Sequence, residues 1–360
     1  MSDPVPHAHA AADTALANPL QLERPLKATI SYTHSCNLDC RICYAGCTRE
    51  PSAREIAGET WKRLLDRMLE DGVISLMFEG GEPLHRPDFL GVLAHVARRA
   101  MTKLRTNATL IDPPLAAELK RIGCGTALVD LFGAGAETHD WLTAVPGSHA
   151  RCLAGIQALR QAGLPTTLLT IMNRRNIGEL QAVLDLAHGF GIRTVGILRP
   201  YPLGRMRERW AELSLSLPEM MEALAALRPP PGMEVMQSWH PNDANCCWQM
   251  AAVNAYGDSI GCTYLREYVH YGNLQQQSLV ATWDHPLYRE LRAGRVQKSC
   301  GACSAGQKSH GGCRSTAYAF HRRWDAPDPF DAELNEGVDL RVLPEAPLPA
   351  DLRSQGAAGA

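Results

Sequence analysis

Between residues 26 and 229, short apolar runs alternate with amphipathic stretches six times in series. The runs Leu26–Tyr32, Ser75–Phe78, Leu104–Thr106, Thr126–Phe132, Thr166–Ile171 and Thr194–Leu198 read as strands. Glu59–Glu70, Phe89–Ala100, Pro114–Ile122, Ala150–Gln161, Ile177–Phe190 and Pro218–Leu227 read as the helices that follow them. Strands joined in series by helices lie parallel. Right-handed crossovers then curl the series into a full or partial β/α barrel. The alternation thus predicts an α/β chain built on a partial (β/α)6 barrel. Its chemistry is expected where the strands end and run into their following loops.

Pro229-Pro230-Pro231-Gly232 breaks this rhythm. Beyond it cysteine and glycine become frequent, which places a small cysteine-rich extension at about 233–331 and a Pro-rich tail at 332–360. Residues 1–25 lack the cationic start and apolar stretch of a signal peptide and read as a flexible tail. The formal net charge of −2 gives no basic field for nucleic acid. No apolar run reaches bilayer length, so no membrane role is expected. Twelve cysteines in a chain without an export signal point to metal or iron–sulfur ligation rather than disulfides, and to the cytoplasm.

The cysteines fall into two groups, 36–47 and 246–313, with only Cys124 and Cys152 between. Both of those read as structural thiols. Cys36, Cys40 and Cys43 follow the first predicted strand with Cys-x3-Cys-x2-Cys spacing. Three thiolates in so short a loop can hold three irons of a [4Fe-4S] cube and leave the fourth open to a substrate or cofactor. The same spacing also suits a zinc knuckle completed by His34 or Cys47, which otherwise reads as a spare thiol. Gly80-Gly81-Glu82-Pro83 closes the next strand and alone would be an ordinary turn.

Together, Cys36-x3-Cys40-x2-Cys43-Tyr44 and Gly80-Gly81-Glu82-Pro83 resemble the radical S-adenosylmethionine (radical SAM) superfamily over residues 26–204. The resemblance implies that the open iron chelates the methionine amino and carboxylate groups of S-adenosyl-L-methionine. One electron from a low-potential cluster, a class that reaches about −700 mV, then releases a 5′-deoxyadenosyl radical. It also implies that Gly80 and Gly81 let the backbone approach the cofactor's ammonium, that Glu82 supplies negative charge, and that Tyr44 borders the adenine. Thr106 and Asn107 are expected to face the cofactor. Asp130 stands where the family often has Ser, and Phe132 replaces the usual Asp two residues later. Asp130 remains a candidate contact, and Gly196-Ile197-Leu198 resembles the segment lining the adenine.

The second cysteine group resembles the family's SPASM extension, or Twitch in shortened form. It offers Cys246 and Cys247, Gly257-x4-Cys262, Cys300-x2-Cys303 and Gly311-Gly312-Cys313-Arg314-Ser315-Thr316-Ala317-Tyr318. Two cysteines of the full pattern are missing: Ser309 or His310 and Asp331 stand near their places. One auxiliary cluster is therefore expected from Cys247, Cys262, Cys300, Cys303 and Cys313, with Cys246 as the alternative to its neighbour. A second cluster using His310 or Asp331, or a structural zinc, are the other readings.

The resemblance implies an enzyme that abstracts a substrate hydrogen atom, with tailoring of a peptide or amino-acid side chain as the leading reading. Side-chain oxidation of a tetrapyrrole of haem or haem d1 type is the next, followed by a small-molecule dehydrogenase or epimerase. A non-catalytic iron–sulfur or zinc protein is the reading from a different class. A reductant such as flavodoxin or ferredoxin is implied. With about 25 residues before the first strand, leader recognition would fall to a separate protein. His240 and Asp243, in the polar run Gln237–Asn245, are candidate acid–base residues at the substrate pocket, or members of an ordinary capped loop.

Overall fold

The computed structural model describes residues 22–238, 250–293, 312–332 and 335–344. Its centre is an open sheet of eight parallel strands, one partner after another in the order β7-β6-β5-β4-β3-β2-β1-β8. β1 is Lys27–Thr33, β2 Ser75–Gly80, β3 Met101–Thr106, β4 Thr126–Asp130, β5 Thr166–Ile171 and β6 Thr194–Leu198. These are the six strands expected from the sequence. β7 (Glu234–Gln237) and β8 (Met250–Val253) extend them at opposite edges, against β6 and β1. The expected six-stranded unit is therefore an eight-stranded one, and residues beyond the proline break supply both added strands.

The helices form for local reasons. The helix Gly58–Glu70 buries Trp61, Leu64, Leu65 and Met68, the spacing that puts an apolar stripe on one face. Trp61 is fully enclosed. Burial of such a side chain is worth about 2–3 kcal/mol, and Trp61→Ala would leave a cavity. Pro113–Ile122 starts at Asp112, whose carboxylate accepts the Leu115 N–H at 2.8 Å, with proline in its first turn. It stops at Gly123, which takes the left-handed conformation at φ 99°. The core of Ile30, Phe78, Leu104, Val129 and Leu168 lies between such helices and the sheet.

One layer near the ends of the first four strands departs from this apolar rule. Ser31, Glu79 and Arg105 are buried there, and Asp130 closes the layer on β4. Buried charges persist only when paired, so this layer marks where the barrel stops being scaffold. Among the described residues no helix is long and apolar enough to cross a membrane.

Candidate functional site

The loop after β1 carries Cys36, Cys40 and Cys43, and its path is fixed by backbone bonds. The Cys36 N–H donates to the Thr48 carbonyl at 2.8 Å and the Thr48 N–H to the His34 carbonyl at 2.9 Å, pinning the loop's two ends together. A turn closed by the Cys43 N–H on the Cys40 carbonyl, 3.2 Å, makes those two cysteines neighbours. Two bonds from Asp39 and Arg41 to the carbonyls of Thr143 and Leu142 seat the loop's middle on a neighbouring helix end.

Arg205, just beyond β6, holds the loop from the other side. Its Nε donates to the Cys40 carbonyl at 2.8 Å, its Nη1 to the Cys47 carbonyl at 2.7 Å, and its backbone N–H to the Cys43 carbonyl at 3.0 Å. The preceding Gly204 lets this happen. A Cβ there would lie 2.6 Å from the Cys43 carbonyl oxygen and 2.8 Å from that of Tyr44. Nothing in the sequence spacing singled out Arg205. A glycine followed by an arginine, opening the short helix Gly204–Glu208, is the signal that was there to find.

The three cysteines face a cleft, with Gly80, Gly81, Thr106, Asn107 and Asp130 also on its wall. The loop and the ends of β2, β3 and β4 thus meet at one place. Tyr44 lines it too. Gly80 and Gly81 are needed here by the first strand itself. A Cβ on Gly80 would sit 2.3 Å from the Thr33 carbonyl oxygen, and one on Gly81 1.9 Å from that of Ser35. Gly80 also takes φ 138°, a left-handed-side value that favours glycine.

Glu82 is fully buried behind this wall rather than on it. Its carboxylate accepts from the Thr106 hydroxyl at 2.9 Å, the Asn107 N–H at 2.8 Å and the Leu84 N–H at 3.2 Å. Burial pushes its pKa up to about 7 against those three bonds. Beside Asp130, the cleft wall carries a second acid, Glu79. It accepts from the Tyr44 hydroxyl at 2.8 Å, with Arg105 at 3.7 Å and Arg266 at 3.9 Å. Asp130 is gripped side-on by Arg105, Nε to Oδ2 3.0 Å and Nη2 to Oδ1 2.9 Å. Leu198 ends β6 beside Ile171, which is on the cleft wall. The sequence does not set these residues apart: β3 reads Met-Thr-Lys-Leu-Arg-Thr, so Arg105 stands among other polar residues.

The thiols are chemically unequal. The neighbouring Cys47 thiol draws the Cys43 pKa below its ordinary value, whereas burial pushes Cys36 up to about 12 and Cys40 well above its ordinary value. Among the described residues no three His, Cys, Asp or Glu side chains converge on one metal-ion position. Thiols spread along a shared wall fit the separate irons of a cluster better than one ion.

The extension docks at this same end of the sheet. Cys262 is buried at the start of a short turn, Thr263–Leu265, and Cys313 precedes the helix Arg314–His321. The Ser315 hydroxyl donates to the Tyr264 carbonyl, so the turns after these two cysteines adjoin. Gly312, at φ 77°, lies so close to Asp328 that a Cβ would approach its Cβ to 2.3 Å. Asp328 in turn accepts the Cys313 N–H at 2.8 Å and pairs with Arg199 at 2.7 Å, both side chains at most 3% exposed. Arg199 follows β6, so a buried ion pair joins the barrel end to Cys313. Tyr264 also stacks on Tyr201 at 3.6 Å and leans on Tyr44 at 4.9 Å. Asp331 is buried on the turn after Asp328. His240, Asp243, Cys246, Cys247, Cys300, Cys303 and His310 lie outside the described residues.

Cys124 and Cys152 are buried away from the cleft, their thiols directed at the Thr126 and Asp130 carbonyls.

Comparison with known proteins agrees with this geometry. Residues 30–187 match the family model of the radical SAM superfamily, and residues 246–304 match that of SPASM, an iron–sulfur cluster-binding domain. An AdoMet-dependent heme synthase of Methanosarcina barkeri is 29% identical, covering 83% of this chain and 93% of that protein. A PqqA peptide cyclase of Gluconobacter oxydans is 27% identical over 90% of this chain and 97% of the relative. In fold, the chain resembles Streptococcus suis SuiB bound to its precursor peptide SuiA, with TM-score 0.68 and 17% identity. That match covers 87% of this chain and 76% of SuiB.

Proposed function

The chain belongs to the radical SAM superfamily and carries a SPASM iron–sulfur domain, and we propose that it tailors a peptide side chain. When bound, the four-iron cluster and S-adenosyl-L-methionine supply a 5′-deoxyadenosyl radical that takes a hydrogen atom from carbon. Cys36, Cys40 and Cys43 would hold the cluster, and the ends of β2 and β3 at Gly80–Gly81 and Thr106–Asn107 would border the cofactor. Glu79 fixes Tyr44 by its hydroxyl, which sets the ring that borders the cleft. Leu38, Ile42, Phe132 and Ile171 supply apolar wall that keeps water away from a reactive carbon. Cys262 and Cys313, held on adjoining turns, are offered as ligands of the auxiliary cluster, with Cys247, Cys300 and Cys303 as their proposed partners.

One observation carries the choice of substrate class. Among the described residues, the two arginines on the cleft wall and one beside it are already engaged by the protein: Arg105 by Asp130, Arg205 by Asp39 and loop carbonyls, and Arg266 by Glu79. A tetrapyrrole brings several carboxylates and needs unengaged cations to receive them. A peptide side chain does not. The PqqA peptide cyclase relative points the same way. The heme synthase relative and the run Gly312-Cys313-Arg314 keep the tetrapyrrole as the second reading. A flavodoxin- or ferredoxin-type donor completes the reading as the electron source.

The test is anaerobic reconstitution with S-adenosyl-L-methionine and dithionite. Formation of 5′-deoxyadenosine should rise with a short precursor peptide found encoded beside the gene and not with an iron porphyrin bearing free propionates. The reverse result transfers the assignment to the tetrapyrrole.

A further inference from the structure

A fourth thiol stands among the three ligand cysteines and has no part in the mechanism above. Cys47 is 2% exposed, packs with Cys36, Cys40 and Cys43 in one apolar cluster, and lines the same cleft. Its backbone is fixed as firmly as theirs, by Arg205 on its carbonyl and by the Thr48–His34 bond one residue on. Its Sγ donates to the Gly80 carbonyl at 3.6 Å. That carbonyl belongs to the strand end assigned to the cofactor's ammonium. Cys47 thus stands on the same wall as the three ligand cysteines, beside the strand end assigned to the cofactor. Cys124 and Cys152 are buried as well, yet neither reaches the cleft.

We infer that Cys47 is an exchangeable fourth ligand of the cluster, bound to the open iron in the absence of S-adenosyl-L-methionine and displaced when the cofactor arrives. Four cysteines are the usual complement of a closed four-iron cluster. The exchange balances without any redox change. The Fe–S bond to Cys47 breaks as the cofactor's nitrogen and carboxylate oxygen bind that iron. The ammonium gives up one proton and the departing thiolate takes one up, leaving Cys47 as a neutral thiol on the cleft wall. The cluster is thereby closed whenever it is not poised to react. This inference rests on the radical SAM reading.

The experiment uses the reconstituted holoenzyme, mild ferricyanide oxidation, and the paramagnetic signal of the three-iron cluster left when an unprotected iron is lost. The Cys36→Ala, Cys40→Ala, Cys43→Ala triple variant supplies the background from the auxiliary site. Without cofactor, Cys47→Ala should give several-fold more three-iron signal than the wild type, and added S-adenosyl-L-methionine should remove the difference. Binding of the cofactor by Cys47→Ala should tighten by about threefold or more, because no competing ligand has to leave. Cys47→Ser keeps a donor to Gly80 but is a poor iron ligand, so it should behave like Cys47→Ala. Equal three-iron signals in the wild type and both variants, or a serine variant that matches the wild type, overturn the inference. A wild type that holds no cluster at Cys36, Cys40 and Cys43 overturns the superfamily reading along with it.

Discussion

The two cysteine-bearing regions are held by different kinds of force. The Cys36–Cys43 loop is tied down by many modest hydrogen bonds, from its own two ends, from Arg205 and from a neighbouring helix end, so no single one decides its shape. Cys313 depends on one carboxylate. Asp328 receives its backbone N–H, the Thr316 hydroxyl, the Phe330 N–H and the Arg199 guanidinium, all in a fully buried place. The difference teaches that redundancy was placed where the reaction begins, and a single high-stakes junction where the extension meets the barrel.

The comparison breaks most completely if the ligands themselves go. Replacing Cys36, Cys40 and Cys43 with Ala should remove about four irons and all 5′-deoxyadenosine formation, while iron at the extension stays. Iron and sulfide analysis checks this, and a protein that loses all its iron would show the two regions to be interdependent. Next is Asp328→Ala, which leaves Arg199 buried without its partner. It should cost about 3–5 kcal/mol in denaturant unfolding and release iron from the extension before the N-terminal loop. If Asp328→Ala is near neutral, the junction is not what holds Cys313.

Arg205→Met should be milder, at about 1.5–3 kcal/mol for its charged hydrogen bonds. It should loosen iron at the first region while leaving the second unchanged, with chelator-accessible iron as the readout. A loss as large as that of Asp328→Ala would deny the redundancy argued above.

The smallest effect concerns pH. His270 bonds Asp258 at 3.0 Å, which raises the His270 pKa. Asp258 is lowered to about 2 despite its burial, by His270, Asn254 and Asn273. The histidine's contribution is fully present below its ordinary 6.5 and fades as pH rises through its raised value. The aspartate's contribution is present above its ordinary 3.8 and is lost as pH falls through about 2. His270→Gln should therefore cost stability most near pH 5 and least near pH 9, by less than about 1 kcal/mol in denaturant unfolding because both groups are partly solvated. A deficit that does not vary with pH would mean that packing, not charge, joins them.

Much of the barrel was legible because its signals are local. Apolar runs, the Asp112 cap and the glycine stop at 123 each announce an element without reference to the rest of the chain. So were Cys36, Cys40, Cys43, Gly80 and Gly81, which the structure brings to one cleft. The charged layer was not legible. Whether Glu79 and Arg105 face solvent or the lumen depends on the parity of strands that pair far apart in sequence. Strands β7 and β8 were missed for a related reason. Each has four residues, and β8 finds its partner more than two hundred residues away.

That last pairing has a consequence for how the protein is made. Lys27–Ile30 of β1 hydrogen-bond on one side to residues 75–78 and on the other to Met250–Val253. While the chain emerges from the ribosome, the strand that leads into the cluster loop keeps one edge open until about two-thirds of the sequence has been synthesised. An unpaired edge is a template for wrong partners, and non-local pairing is slow to form. Translation time thus enters the protein's vulnerability: slow elongation between β2 and β8 prolongs the exposure of that edge, and a stalled chain ends with it uncovered.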